Sequence, residues 1–150
     1  MPAPAGRAHD PGMTTDAATA LETAVAAWNR GDLPGYLEMY DESIQLHGYT
    51  PAPMSKTEVT GFYQGIFAAF PDGQLDFHEV LWPDPDTAVV RFTLSGTHEG
   101  DFLGNAGTGT TVHLPGITII KYRDGKAIER WSQADMLGAL VQIGAVPAPA

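Results

Sequence analysis

The sequence contains no cysteine, which excludes disulfide bonds, thiolate nucleophiles and cysteine-ligated zinc. Basic residues are also scarce: 8 Lys and Arg stand against 18 Asp and Glu, and the formal net charge is −10. Such a chain repels phosphate backbones and anionic membrane surfaces. No apolar run in it is long enough to span a bilayer. Composition therefore predicts a cytoplasmic protein without nucleic-acid or membrane partners.

The 150 residues are 43% apolar and 17% charged, which is typical of one globular domain with a core and room for a pocket. We interpret residues 1–13, rich in Pro, Ala and Gly, as a disordered leader. A single domain is predicted over residues 14–146, and residues 147–150 form a frayed tail. The five histidines have no metal-ligand spacing, so we expect neither a metal nor a cofactor.

Helical patterns dominate the first half of the chain. Leu21, Val25 and Trp28 follow the helical period, and Ser55 with Glu58 forms a capping box that begins a second apolar helix. After Pro71 the pattern changes to alternating strands. Helices followed by antiparallel strands predict an α+β fold, in which one curved, cone-shaped sheet wraps around the N-terminal helices and encloses an apolar pocket.

Two apolar segments near the C-terminus are joined by Asp124-Gly125, a strong signal for a β-hairpin. If the second strand alternates without a bulge, its residues divide between two faces. One face then carries Ala127, Glu129, Trp131, Gln133 and Asp135, and the other carries Ile128, Arg130 and Ser132. This parity predicts that Asp135 lies at the strand end beside Trp131, in a pocket wall.

Asp135 has two interpretations. A carboxylate desolvated in an apolar pocket has a raised pKa and can exchange a proton next to a carbonyl group. Asp135 also directly precedes the apolar run that begins at Met136, which is the N-cap position of a terminal helix. A carboxylate bonded to backbone donors would have a lowered pKa and would be a poor base.

A series of short motifs resembles the SnoaL-like polyketide cyclases, also called ester cyclases, of the nuclear transport factor two-like superfamily. The motifs span residues 15–145 in a fairly specific order and spacing. They are Trp28-Asn29-Arg30-Gly31-Asp32, Phe70-Pro71-Asp72, the segment from Gly96 to Gly104, Asp124-Gly125-Lys126, Glu129-Arg130-Trp131 with Asp135, and the segment from Leu140 to Gly144.

The resemblance implies an α+β cone that closes polyketide rings by aldol condensation without a metal or Schiff base. It implies that Asp135 is the acid/base catalyst. The position matching the family's second catalytic residue, a histidine, is Thr118, and His98 matches the histidine of the family's GTHxG motif. The resemblance also implies pairing of subunits through the sheet face, so we expect a homodimer or homotetramer.

Other candidate site residues come from the faces of the predicted elements. His98 follows the apolar parity of its strand, so it is either a hydrogen-bonded core residue or a partner of Asp135. His47 and Tyr49 line either the pocket mouth or the surface. Aromatic residues at Tyr63, Phe67 and Trp131 are core residues that can also form pocket walls. Arg91 and Arg130 are expected to pair with Glu79 or Glu129.

Together these observations predict a cofactor-independent cyclase acting on an apolar carbonyl compound. Asp135 and His98 are its predicted catalytic residues, and the predicted substrate contacts are His47, Tyr49, Tyr63, Phe67, Trp131 and Thr118. A dehydratase or isomerase on the same fold would need the same base. A non-catalytic module that binds an apolar ligand is the alternative from another class.

Overall fold

The computed structural model describes residues 16–149, so the predicted leader lies outside the described residues. Residues 147–149 belong to no helix or strand. In chain order the elements are α1 Ala17–Asn29, α2 Leu33–Leu37, β1 Tyr40–His47, α3 Lys56–Ala69, β2 Gln74–Asp84, β3 Thr87–Thr97, β4 Thr111–Arg123, β5 Lys126–Ala134 and α4 Met136–Gln142.

The helices begin where side chains satisfy the free amides of the first turn. Asp16 accepts from the Thr19 amide at the start of α1. The predicted capping box of α3 is confirmed, because Glu58 N–H donates to Ser55 Oγ and Ser55 N–H donates to Glu58 Oε1, at 3.2 and 2.8 Å. None of the helices within residues 16–149 is both long and apolar enough to cross a membrane.

A single five-stranded sheet has the order β1-β5-β4-β3-β2. The predicted hairpin is confirmed: Arg123 pairs with Lys126, and the turn residues Asp124 and Gly125 have φ of 53° and 78°. Positive φ at both positions is what a tight two-residue turn between right-twisted strands requires. The α+β prediction is confirmed, with one departure from an antiparallel sheet, because the edge strand β1 runs parallel to β5.

The second hairpin strand does not alternate throughout. Tyr122 pairs with Ala127 but Lys121 pairs with Glu129, so Ile128 is an extra, bulged residue. The predicted parity is therefore wrong at the start of β5, where Ala127 is fully buried on the same side as Arg130. Past the bulge, Glu129 and Trp131 lie on the outer face of the sheet.

The inner, concave face of the sheet packs against the helices. The predicted inward row Val90, Phe92 and Leu94 of β3 is buried. The rim is fixed by Asp72, which follows α3 and accepts bonds from the Thr97 amide and hydroxyl at 2.7 Å each. These bonds hold the pKa of Asp72 below its usual range. The helices and sheet thus enclose a space between them.

Candidate active site

A cavity of about 240 Å³ lies between the helices and the inner face of the sheet. Most of its wall is apolar and aromatic. The residues lining it are Leu21, Trp28, Tyr36, Met39, Gly48, Tyr49, Phe62, Tyr63, Ile66, Leu75, Phe77, Phe92, Leu94, Leu114, Ile120, Arg130, Ser132, Gln133, Ala134 and Met136. Such a concave, apolar site with few polar groups is typical of small-molecule sites.

One full charge faces this apolar space. Arg130 is only 7% exposed, and it forms no ion pair with any carboxylate of residues 16–149. Its Nε donates to Thr118 Oγ1 at 2.8 Å, and its Nη1 donates to the hydroxyls of Tyr36 and Tyr40 at 2.7 and 2.6 Å. The two N–H groups of Nη2 make no hydrogen bond within the described part of the chain. A guanidinium has five donors, so two remain for a ligand.

A chain of tyrosine hydroxyls extends from Arg130. Tyr40 and Tyr63 Oη are 2.6 Å apart, and Tyr63 and Tyr49 Oη are 2.7 Å apart. Because Tyr40 accepts from Arg130, its own proton can be donated to Tyr63 and that of Tyr63 to Tyr49. The chain runs from the buried guanidinium to half-buried Tyr49 at the cavity wall.

The tyrosines of this cluster do not titrate alike. Burial raises the pKa values of Tyr40, Tyr49 and Tyr63, and those of Tyr40 and Tyr63 lie well above the usual range. Burial also acts to raise the pKa of Tyr36. There, however, attraction to the Arg130 charge and hydrogen bonds from neighbouring hydroxyls and Arg130 outweigh burial, and the pKa is lowered. Tyr36 is therefore the tyrosine of the cluster that ionises most readily.

Trp28 supplies a second free donor. Within residues 16–149 its Nε1 is the one side-chain nitrogen or oxygen that is fully shielded from solvent and has no hydrogen-bond partner. The indole lines the cavity and packs against Tyr36 and Tyr63 at ring distances of 5.0 and 5.4 Å. An unpaired buried N–H is costly, and a ligand acceptor in the cavity would satisfy it.

Several predicted substrate contacts lie at this cavity. Tyr49 and Tyr63 line it. Phe67 stands behind the wall, stacked on Trp28 at 4.4 Å. Thr118 is buried, accepts from Arg130 Nε and donates to the Trp131 carbonyl at 2.7 Å. It thereby fixes the guanidinium in place.

His47 and Trp131 lie elsewhere. They are register partners in the parallel pair of β1 and β5, and their rings stack at 5.2 Å on the outer face of the sheet. His47 Nε2 also contacts Glu129 Oε2 at 2.8 Å. His47 therefore matches its alternative as a surface residue, and Trp131 does not form the predicted pocket wall, because residues at these strand positions face away from the helices. The expected pairing of Arg91 with Glu79 is confirmed at 3.6 Å.

His98 also lies outside the cavity wall. It is fully buried, its Nε2 is 3.2 Å from the carbonyl of Asn105, and its Nδ1 is 3.0 Å from Thr108 Oγ1. A carbonyl only accepts, so Nε2 carries a proton and donates to Asn105. The ring contacts Phe70 at 5.8 Å. Of its two interpretations, the geometry matches the hydrogen-bonded core residue, which here holds the loop that follows β3.

Asp135 directly precedes α4 and is exposed. Its Oδ1 accepts from the Gly138 amide at 2.8 Å, which is the N-cap arrangement. Its chain neighbours Ala134 and Met136 line the cavity, whereas Asp135 lies in a groove on the other side, with His78 and Arg91. The structure thus corrects the predicted position of the carboxylate in the pocket wall. Its catalytic role stays a prediction.

Sequence reasoning missed the central group of the site. Arg130 was expected to pair with Glu129 or Glu79. Glu129 instead binds His47 on the outer face, because adjacent strand residues face opposite sides, and Glu79 pairs with Arg91. The available signal was parity: Arg130 shares its face with Ser132 and Ala134, with no acidic residue among them. Groups of acidic and histidine side chains that could hold a metal ion are absent from residues 16–149.

The fold and the site define a small α+β cone with an apolar cavity built around one buried cation. The family model "SnoaL-like polyketide cyclase" matches residues 18–143, and the chain belongs to this family. No curated protein sequence matches it significantly.

Among solved structures, AclR of Streptomyces galilaeus, named as a candidate hydroxylase, is 30% identical, with a TM-score of 0.80 over 87% of this chain and 96% of AclR. TsrD of Streptomyces laurentii is 25% identical, with a TM-score of 0.75 over 86% of this chain and 95% of TsrD. IdmH of Streptomyces antibioticus, named as a candidate polyketide cyclase, shares the fold at 24% identity, with a TM-score of 0.74 over 87% and 99% of the two chains.

Proposed function

We propose that the protein is a cofactor-independent cyclase that closes a ring, by aldol-type or related chemistry, in an apolar polyketide-like carbonyl compound held in the cavity. The observation that carries the proposal is the Arg130 guanidinium, which is buried in an apolar wall without a carboxylate and has two N–H groups unused. A merely structural cation would be expected to satisfy all of its donors.

The positive charge of Arg130 is suited to stabilise the negative charge that such a reaction develops. Removing a proton from the carbon next to a carbonyl leaves an enolate, whose negative charge resides mainly on oxygen. Donors held in place beforehand in a low-dielectric site stabilise that oxygen strongly. Thr118 and Tyr40 hold the guanidinium in one orientation, and the free Nη2 donates to the oxyanion.

The family name favours ring closure, whereas the name of AclR favours hydroxylation on the same fold. Dehydration and isomerisation would need the same enolate stabilisation. Product analysis with an authentic substrate separates ring closure from hydroxylation, dehydration and isomerisation. Catalytic roles for Asp135 and His98 belong to the same proposal only as hypotheses, because both side chains are bonded to backbone groups outside the cavity wall.

Enolate formation can be tested without the natural substrate. The probe is acetonaphthone, an aryl methyl ketone, and the readout is deuterium exchange into its methyl group in heavy water. Wild-type protein is expected to accelerate exchange, and Arg130→Gln to lose about 10²–10³-fold of that acceleration, the usual effect of removing an oxyanion donor. Arg91→Gln is the matched control, because that arginine lies on the outer face beside Glu79.

Arg130→Lys keeps the charge but loses the planar fork of donors, so it should retain only part of the acceleration. Circular dichroism and thermal unfolding show whether each variant is folded. If acetonaphthone binds to wild-type protein and exchange is not accelerated, the enzyme proposal fails and the chain is a passive binding module. Equal exchange by wild type and folded Arg130→Gln would remove Arg130 from the mechanism.

Self-association through the outer face of the sheet is proposed as well. A row of register partners crosses all five strands on that face: Leu81, Val89, Ile119, Trp131 and His47. Leu81 is 52% exposed and Ile119 is 40% exposed, which is unusual for side chains of this size. Sedimentation should show a dimer or tetramer for wild type and a monomer for Ile119→Glu. A monomeric wild type would contradict the proposal.

A further inference from the structure

The charge of Arg130 is not balanced by any acid in its surroundings. Burying an isolated ion is very costly, and a guanidinium cannot relieve that cost by losing its proton. Burial acts to lower the pKa of Arg130, but the surrounding tyrosine oxygens raise it above its usual range. The negative charge that compensates the guanidinium must therefore come from a tyrosine hydroxyl or from the substrate.

Tyr36 is the hydroxyl best placed to supply that charge. It lies 2.7 Å from Arg130 Nη1, it is 4% exposed, and it lines the cavity. Tyr40 is equally close to Nη1, but it is bonded onward to Tyr63 and is not part of the cavity wall. Of the two hydroxyls on the guanidinium, only Tyr36 can therefore contact both Arg130 and a substrate.

We propose that Tyr36 is the general base of this enzyme, its phenolate oxygen held beside Arg130 and directed at the substrate carbon next to the carbonyl group. The inference rests on the proposed enolate chemistry. In the step, the C–H bond breaks and its electron pair forms the enolate, while the proton forms a new O–H bond on Tyr36. After the new carbon–carbon bond forms, the Tyr36 hydroxyl returns its proton to the product oxygen.

The arrangement keeps the total charge beside Arg130 constant. Before the step the guanidinium is paired with the Tyr36 phenolate, and afterwards with the enolate oxygen on Nη2. Negative charge moves across one guanidinium and never stands alone in the apolar cavity. Because the donors are already oriented by Thr118 and Tyr40, little reorganisation is needed.

The titration behaviour of the cluster supports this assignment. The pKa of Tyr36 is lowered, whereas those of its neighbours are raised, since burial disfavours a second charge and the ionised Tyr36 repels it. Within residues 16–149 the titratable groups that face Tyr36 come from β1, the segment after it, α3, β4 and β5, and none is a carboxylate. They are Arg130 of β5, Tyr40 of β1, Tyr49 after β1, Tyr63 of α3 and Tyr122 of β4.

This inference can be tested by spectroscopy without any ligand. The chain has five tyrosines, and all of them belong to this cluster or, as Tyr122, to the adjoining core. Tyrosinate absorbance followed against pH in the folded protein should show one tyrosine ionising below the ordinary value of about 10, well before the other four. Tyr36→Phe should remove that early step, and Tyr122→Phe, whose hydroxyl contacts only Met39 Sδ, should keep it.

Arg130→Gln provides the second spectroscopic arm, since without the guanidinium the remaining Tyr36 should ionise no earlier than a free tyrosine. Unfolded protein in denaturant should show all five ionising together near 10. If the folded wild type has no early step, or if the step persists in Tyr36→Phe, the assignment of the base is overturned.

Deuterium exchange into acetonaphthone separates this inference from the proposed function. Tyr36→Phe should slow exchange about 10²–10⁴-fold, the usual contribution of a general base, and wild-type exchange should rise with pH along the early tyrosine step. Exchange lost in Arg130→Gln but retained in Tyr36→Phe would overturn the base and leave the cyclase proposal intact. Absence of exchange in the wild type would overturn the proposed function. The tyrosinate titration would still show whether Tyr36 ionises early beside Arg130.

Discussion

Replacing Asp135 by alanine is expected to weaken the start of α4 without changing the cavity. The structure shows one bond to lose, from the Gly138 amide to Asp135 Oδ1 at 2.8 Å. Loss of an N-cap costs about 1 kcal/mol, within a range of about 0.5–2. For a domain of this length, that lowers the melting temperature by about 2–4 °C. The remainder of α4 should persist, because Gln142 bonds both the amide and the carbonyl of His113.

Asp135→Asn is the matched control, because an asparagine oxygen caps a helix nearly as well as a carboxylate. Its melting temperature should stay close to that of wild type, and hydrogen exchange of the α4 amides should rise in Asp135→Ala only. Deuterium exchange into acetonaphthone should be unchanged in Asp135→Asn. If the asparagine variant is folded and stable but loses the exchange activity, Asp135 is the acid/base catalyst and our assignment to Tyr36 is refuted.

Three further predictions concern stability. Gly48→Ala should destabilise the protein by about 1–3 kcal/mol in denaturant unfolding, because φ is +92° and the new Cβ would overlap the Ser132 carbonyl oxygen. Gly65→Ala should instead stabilise the protein by about 0.5–1 kcal/mol, because a Cβ at this position of α3 meets only open space. The lowered pKa of Asp72 contributes stability that is present above about pH 4 and is lost as pH falls through that lowered pKa. Asp72→Asn should therefore be less stable than wild type at neutral pH, and its stability should depend less on pH during acid unfolding. The lowered pKa of Tyr36 likewise contributes stability that is complete above the unfolded-state pKa of about 10 and is lost as pH falls through the folded-state pKa. As pH rises between these two pKa values, the free energy of unfolding of wild type should therefore increase relative to that of Tyr36→Phe. A difference between the two proteins that does not change with pH would contradict the ionisation of Tyr36.

Local patterns were sufficient for much of the fold. The capping box at Ser55 and the turn at Asp124-Gly125 each depend on a few neighbouring residues, and both form as the sequence indicates. The inward row from Val90 to Leu94 follows from alternation alone. Each of these features forms within one turn or one strand, where the residues that interact are also close together in the sequence.

The position of the site depended on features that a sequence pattern does not contain. The bulge at Ile128 shifts the register of β5 against β4, and the residue pattern of β5 alone does not show it. Parallel pairing with β1 brings Tyr40 from far along the chain to Arg130. The polar cluster is therefore assembled from α2, α3, β1 and β5, and no short segment reveals it.

Parallel pairing of β1 with β5 also constrains the order in which the molecule folds. Gln45 of β1 pairs with Glu129 of β5, and most of the chain lies between these two residues. Contacts so distant in sequence form slowly, because a long loop must close before they contribute stability. On the ribosome, all four cluster tyrosines emerge well before Arg130 does. A nascent chain thus holds the acceptors without their cation, and the cavity acquires its charge only when the final strand is inserted between β1 and β4.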